Sequence, residues 1–192
     1  MSYHAWTKAR SLEAKGVSLP DGSQAFWIGS PTARTLVLYF HGGGRALPSS
    51  PGHFKFAFLF LQQLSSAEAK HPVQLGQAAE LLRYALSPSG LSRDPREIIL
   101  MGDSAGVPSS PFTTDVHSRD SSLDPASTAT LKRWTQDYIG PDSSADKWAD
   151  PGRTSSADRL GLGQVVEKSL ITAAQDESLM DGIVEMANRL KV

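Results

Sequence analysis

The sequence predicts an α/β fold in which a mostly parallel sheet is flanked by helices, and three observations carry that expectation. The run Thr35-Leu36-Val37-Leu38-Tyr39-Phe40 is continuously apolar instead of alternating, the pattern of a strand covered on both faces. A second apolar run, Ile98-Ile99-Leu100-Met101, has the same character. Each run feeds a glycine-rich turn, His41-Gly42-Gly43-Gly44 after the first and Gly102-Asp103-Ser104-Ala105-Gly106 after the second, and helical stretches lie between them.

Taken in order, residues 23–28 read as a strand stopped by Gly29-Ser30-Pro31. Residues 35–40 follow as the buried strand, with Leu47 to Pro51 as loop. Gly52 to Ser66 reads as a helix whose Phe54, Phe56, Phe58 and Phe60 pack into the core. From Pro72 to Leu86, Val73, Leu75, Ala78, Ala79, Leu81, Leu82 and Ala85 fit a helix with one apolar stripe, opened by a proline in its first turn. Glu97 to Met101 is the short buried strand before the second turn. Beyond Gly106 the pattern changes, because Val107-Pro108-Ser109-Ser110-Pro111 sets two prolines where a helix would need backbone donors. Residues 113–159 are rich in Ser, Asp, Thr and Pro, with one amphipathic segment from Pro125 to Tyr138 carrying Leu131, Trp134 and Tyr138. A strand is expected at Leu170-Ile171-Thr172-Ala173. A helix from Ser178 to Leu190 then places Leu179, Ile183, Met186, Ala187 and Leu190 on one face.

Composition narrows the function classes. With 192 residues, 40% hydrophobic and 20% charged, the chain reads as one globular domain, residues 1–192, without repeat or linker. Nineteen Lys and Arg against twenty Asp and Glu leave a formal charge of −1, so no general field favours nucleic acid or an anionic membrane surface. The absence of cysteine excludes disulfides, thiolate metal sites and a thiol nucleophile. Neither metal nor cofactor is expected. Met1 to Gly16 lacks the continuous apolar stretch of a secretory signal, and Phe54 to Leu64 is too short and too interrupted to span a bilayer. The expectation is an intracellular, cytoplasmic protein.

The chemistry centres on Ser104. Glycines at 102 and 106 flank it in a G-x-S-x-G turn, which lifts a hydroxyl clear of the sheet for attack. The N–H of Ala105 and those of Gly42 and Gly43 can meet a developing oxyanion, each donor worth about 3 kcal/mol when correctly aimed. His41, at the strand end with Gly44 and Asp103 as motif support, is expected to hold the glycine loop and not to act as a base. His4, His53, His71 and His117 carry no motif. An acid is expected after a later strand, where Gln175-Asp176-Glu177 stands with Asp181 four residues on. These acids equally suit the first turn of a helix, whose dipole favours negative charge.

Four stretches together resemble the hormone-sensitive-lipase-like branch of the α/β-hydrolases, in particular its fungal esterase and lipase members. They are Leu38 to Gly44, Pro72 to Ala78, Ile98 to Gly106, and Ile171 to Asp181. The resemblance implies a serine hydrolase that cleaves a small carboxylic ester through an acyl-enzyme at Ser104, with a role in fungal secondary metabolism. It selects Glu177 as the acid of the triad, with Asp176 as its less favoured neighbour. It also implies a sheet ordered 1-2-4-3-5-6-7-8, of which strands 2, 3, 5 and 7 have counterparts here. Strands 4, 6 and 8 and the last histidine have none, since the joins at Lys70–His71 and Gly106–Pro108 are immediate and the chain stops at Val192. The expectation is therefore a shortened α/β-hydrolase domain with strands missing. One alternative is a catalytically inactive homologue acting as a binding protein, and another has a second chain supply the base and the missing strands.

Overall fold

The computed structural model describes residues 2–43, 49–60, 63–64, 73–104, 128–139, 155, 157, 162–173 and 179–190. The chain divides into two compact units, Met1–Val107 and Pro108–Val192, with the boundary in the Pro- and Ser-rich stretch Val107-Pro108-Ser109-Ser110-Pro111.

The first unit opens with helix α1, Tyr3–Lys8, whose N-cap Ser2 accepts from Ala5 N–H. A hairpin follows, β1 (Lys15–Ser18) antiparallel to β2 (Gln24–Trp27). Its turn is Leu19-Pro20-Asp21-Gly22, in which Gly22 takes φ +83° and Asp21 Oδ1 accepts from both the N–H and the hydroxyl of Ser23. The helix and hairpin are joined by one hydroxyl. Tyr3 Oη donates to Trp27 O at 2.6 Å and accepts from Lys15 N at 3.0 Å.

Strand β3, Leu36–Phe40, is the buried strand the sequence predicts, with its first four residues all buried. Its two faces serve different neighbours, as strand alternation requires. Leu36 and Leu38 join Trp27, Leu81 and Ala85 in one core cluster. On the other side Tyr39 meets Phe56 of helix α2, Pro51–Phe60, at 5.8 Å between ring centres. The phenylalanines of α2 do not form one core stripe, because residues two apart point to opposite sides of a helix. Phe54 is buried against Trp6, Phe58 is 49% exposed, and Phe56 turns toward Tyr39. Helix α3, Val73–Leu86, follows the predicted limits and buries Leu81 and Ala85.

Two corrections concern the sheet. The predicted helix to Ser66 stops at Phe60, and Gln63–Leu64 forms a short strand β4 that pairs parallel to β3. Strand β5, Ile98–Gly102, pairs parallel on the other side, giving the order β4-β3-β5. A counterpart of strand 4 is therefore present in its place beside strand 3. A two-residue strand carries no periodicity of its own, and only the register Val37↔Gln63 and Leu38↔Leu64 defines it. The second correction is that β5 is not covered on both faces: Ile99 and Leu100 are 52% and 54% exposed. Among the described residues β5 has a neighbouring strand on one side only.

In the second unit, helix α4 spans Thr128–Ile139 with Tyr138 buried, α5 spans Leu162–Val165, and α6 spans Met180–Leu190. The predicted face of α6 holds, since Met186 is buried and Ile183, Ala187 and Leu190 are half-buried. The strand expected at Leu170–Ala173 does not form, and Leu170 is 90% exposed. Four residues without a neighbouring strand in their own unit, among the described residues, gain no ladder hydrogen bonds to hold them extended. No described helix is long and apolar enough to cross a membrane.

Candidate active site

The parallel register Phe40↔Gly102 brings the carboxyl ends of β3 and β5 level, so both glycine turns leave the sheet side by side. The carboxyl edge of a parallel sheet is where such folds bind ligands. Asp103 N–H donates to Phe40 O at 3.3 Å, which extends the ladder by one residue into the second turn. Ser104 follows with φ +50° and an exposed side. A serine in the left-handed region costs about 1–3 kcal/mol. Ser11 and Ser92 share the conformation, and of the three only Ser104 has it at the carboxyl end of a strand of the parallel sheet.

The two turns are packed so closely that only glycine fits at position 42. A Cβ there would lie 2.9 Å from the Asp103 carbonyl oxygen and 3.0 Å from Ser104 Cβ, and would also strike the Asp103 carboxylate. Gly43 has φ +127°, which a side chain would strain. Sequence motifs locate these residues; the structure adds what holds them.

Asp103 is the hub. Its Oδ1 accepts from the Tyr39 hydroxyl and from Gly42 N–H at 3.1 Å, and its Oδ2 lies 3.7 Å from His53 Nε2. Gly42 N–H, expected to serve an oxyanion, is thus engaged by a carboxylate in this arrangement. Burial pushes the Tyr39 phenol far above its usual range, and its hydrogen bond to the charged Asp103 adds to the effect, so it stays a donor. His41 Nδ1 donates to the carbonyl of the next residue, Gly42, at 2.7 Å. Its ring stacks on His53 at 5.3 Å between centres. No hydrogen bond joins Ser104 Oγ to either imidazole. Beside His53 and Tyr39 lies a cavity of about 10 Å³, also lined by Tyr3 and Phe54, with room for about one water and none for a substrate.

Gly44, Ala105, Gly106, Asp176 and Glu177 lie outside the described residues. Tyr39, Ser50 and His53 are neighbours of the candidate site that motif reading misses. Ser50-x-x-His53 resembles the Ser-x-x-Glu pattern of a helix start, which is the one sequence signal pointing at His53. Among the described residues no group of three or more His, Cys, Asp or Glu converges as a metal site.

No protein-family model matches the sequence, and no curated protein matches it. Solved structures do match. An esterase/lipase from an uncultured bacterium superposes with a TM-score of 0.71 at 18% identity, over 93% of this chain and 70% of that one. The esterase LipW from Mycobacterium marinum gives 0.72 at 19% identity, over 97% and 71%. Carboxyl esterase 2 from the mycorrhizal fungus Tuber melanosporum gives 0.71 at 18%, over 93% and 72%. The chain has the α/β-hydrolase fold, and the structures it is similar to are esterases and lipases.

Proposed function

We propose that this chain is a serine hydrolase that cleaves a small carboxylic ester through an acyl-enzyme at Ser104. The observation that carries this reading is the left-handed backbone of Ser104 at the carboxyl end of β5, in contact range of the glycine loop. Ser104 Oγ attacks the ester carbonyl carbon and gives its proton to a base, and the carbonyl oxygen becomes the oxyanion. Collapse of that intermediate expels the alcohol, which takes the proton. Water then attacks the acyl-enzyme by the same route and releases the acid. Gly43 and Ala105 supply oxyanion donors, joined by Gly42 when its N–H leaves Asp103. The sequence resemblance gives Glu177 the role of orienting an imidazole base, which no histidine of this sequence supplies by motif. The fungal type and a place in secondary metabolism rest on the sequence resemblance alone.

A fluorophosphonate probe tests the nucleophile. Labelling of the wild type that disappears in Ser104→Ala is the expected result, and labelling unchanged in that variant would overturn the assignment. A second reading, a non-catalytic binding homologue, is favoured by one observation: the Gly42 donor is already taken by Asp103. It predicts no labelling and no turnover of short p-nitrophenyl esters, and turnover abolished by Ser104→Ala rules it out.

A further inference from the structure

His53 belongs to no motif, yet it touches both halves of the site. Ser50 Oγ accepts from His53 N–H at 3.3 Å, and His53 Nδ1 accepts from Ser50 N–H at 2.8 Å. This is a reciprocal capping box at the start of α2, with an imidazole where Glu or Gln usually stands. An Nδ1 that accepts a backbone N–H carries no proton, so the neutral ring holds its proton on Nε2. Nε2 is the atom 3.7 Å from Asp103 Oδ2.

The tautomer decides what His53 can do. With Nδ1 capped and Nε2 protonated, the neutral ring has no lone pair to receive the Ser104 proton, so His53 is not the base of a triad. Its Nε2–H lies in electrostatic contact with, but 3.7 Å from and outside hydrogen-bond distance of, a carboxylate whose other oxygen holds Tyr39 and the Gly42 N–H. We propose that His53 is a positioning residue, joining the N-terminus of α2 to Asp103 so that the elbow and the glycine loop keep their spacing. Only the rate readout below rests on reading Ser104 as a nucleophile.

The groups facing the ring are Asp103 at the end of β5, His41 and Tyr39 at the end of β3, and Tyr3 of α1 across the small cavity. Burial holds the imidazole below its ordinary value; Asp103 opposes this and His41 reinforces it. A histidine whose folded value is depressed contributes stability in full above about pH 6.5 and loses it as pH falls through the folded value. Protonation would also place an Nδ1–H against the Ser50 N–H and break the capping box.

Gln is the informative replacement, because its carbonyl can accept from Ser50 N–H while its amide donates to Asp103, without titrating. Imidazole ¹⁵N spectra of the wild type should show neutral His53 as the Nε2–H tautomer, titrating below an ordinary histidine. Asp103→Asn, which removes the charge that supports protonation, should move its midpoint lower still. His53→Ala should slow fluorophosphonate labelling of Ser104 by roughly 10–100-fold, an ångström of misplacement being worth about 10². His53→Gln should restore most of that loss and flatten the decline in Tm below about pH 6.5. An Nδ1–H tautomer, a midpoint unmoved by Asp103→Asn, or a Gln variant as slow as the Ala variant would each overturn the proposal. Should no variant label at all, the nucleophile assignment fails while the spectra still decide His53.

Discussion

Replacing Gly42 by Ala tests the closeness of the two turns directly. The added Cβ meets the Asp103 carbonyl at 2.9 Å, closer than real Cβ atoms come, and Ser104 Cβ at 3.0 Å, tighter than most real contacts. A flexible side chain could yield, but the carbonyl belongs to backbone locked to Phe40 O and cannot move alone. Overpacking of this kind costs about 1–3 kcal/mol, and pushing the loop away also weakens a hydrogen bond to a charged acceptor worth about 1.5–3 kcal/mol. Together these suggest about 3 kcal/mol, or a fall in Tm of about 6–12 °C for a chain of this size. Differential scanning fluorimetry reads that shift, and probe labelling at Ser104 reads the displaced loop. A variant within about 2 °C of wild type that labels at the normal rate would mean the turns are not in contact, and the site geometry derived from them would fall.

Other substitutions probe the supports separately. Tyr39→Phe keeps the ring against Phe56 but removes a donor from Asp103, and should cost about 1–2 kcal/mol, seen as a lower urea midpoint at unchanged slope. Gly76→Ala lies on the exposed side of α3 with nothing within 4 Å of the new Cβ, so it should stabilise by about 0.5–1 kcal/mol and raise Tm by roughly 1–4 °C.

The parts legible in the sequence are those whose signal is local and periodic. β3 shows an unbroken apolar run, α3 and α6 show helical stripes, and the two glycine turns sit where their strands end. Elements defined by a distant partner are not legible. α1 is six residues long and is fixed by the Tyr3 hydroxyl bonding to β1 and β2. β4 exists only through its pairing with Val37 and Leu38, and Leu170–Ala173 has strand-like composition without such a pairing. The site divides in the same way. Ser104, Gly42 and Gly43 are announced by motif, whereas the roles of Tyr39 and His53 arise from a register and a helix start that place them around Asp103.

That placement bears on why the elbow can hold its shape. A serine at φ +50° is disfavoured in isolation, though Ser11 and Ser92 adopt similar values, so the contacts around Ser104 are what distinguish it. The ladder bond from Asp103 N–H to Phe40 O fixes the backbone on one side of Ser104, and the Asp103 carboxylate fixes it again through Tyr39 and Gly42. A bond to an ionised acceptor contributes about 1.5–3 kcal/mol, enough for one of them to offset strain of that order. The donors come from β3 and the glycine loop, so the strained turn is supported by two elements folded beside it. Asp103 thereby couples the geometry of the Ser104 turn to that of the glycine loop: a change that loosens one moves the other, and neither turn can be tuned alone.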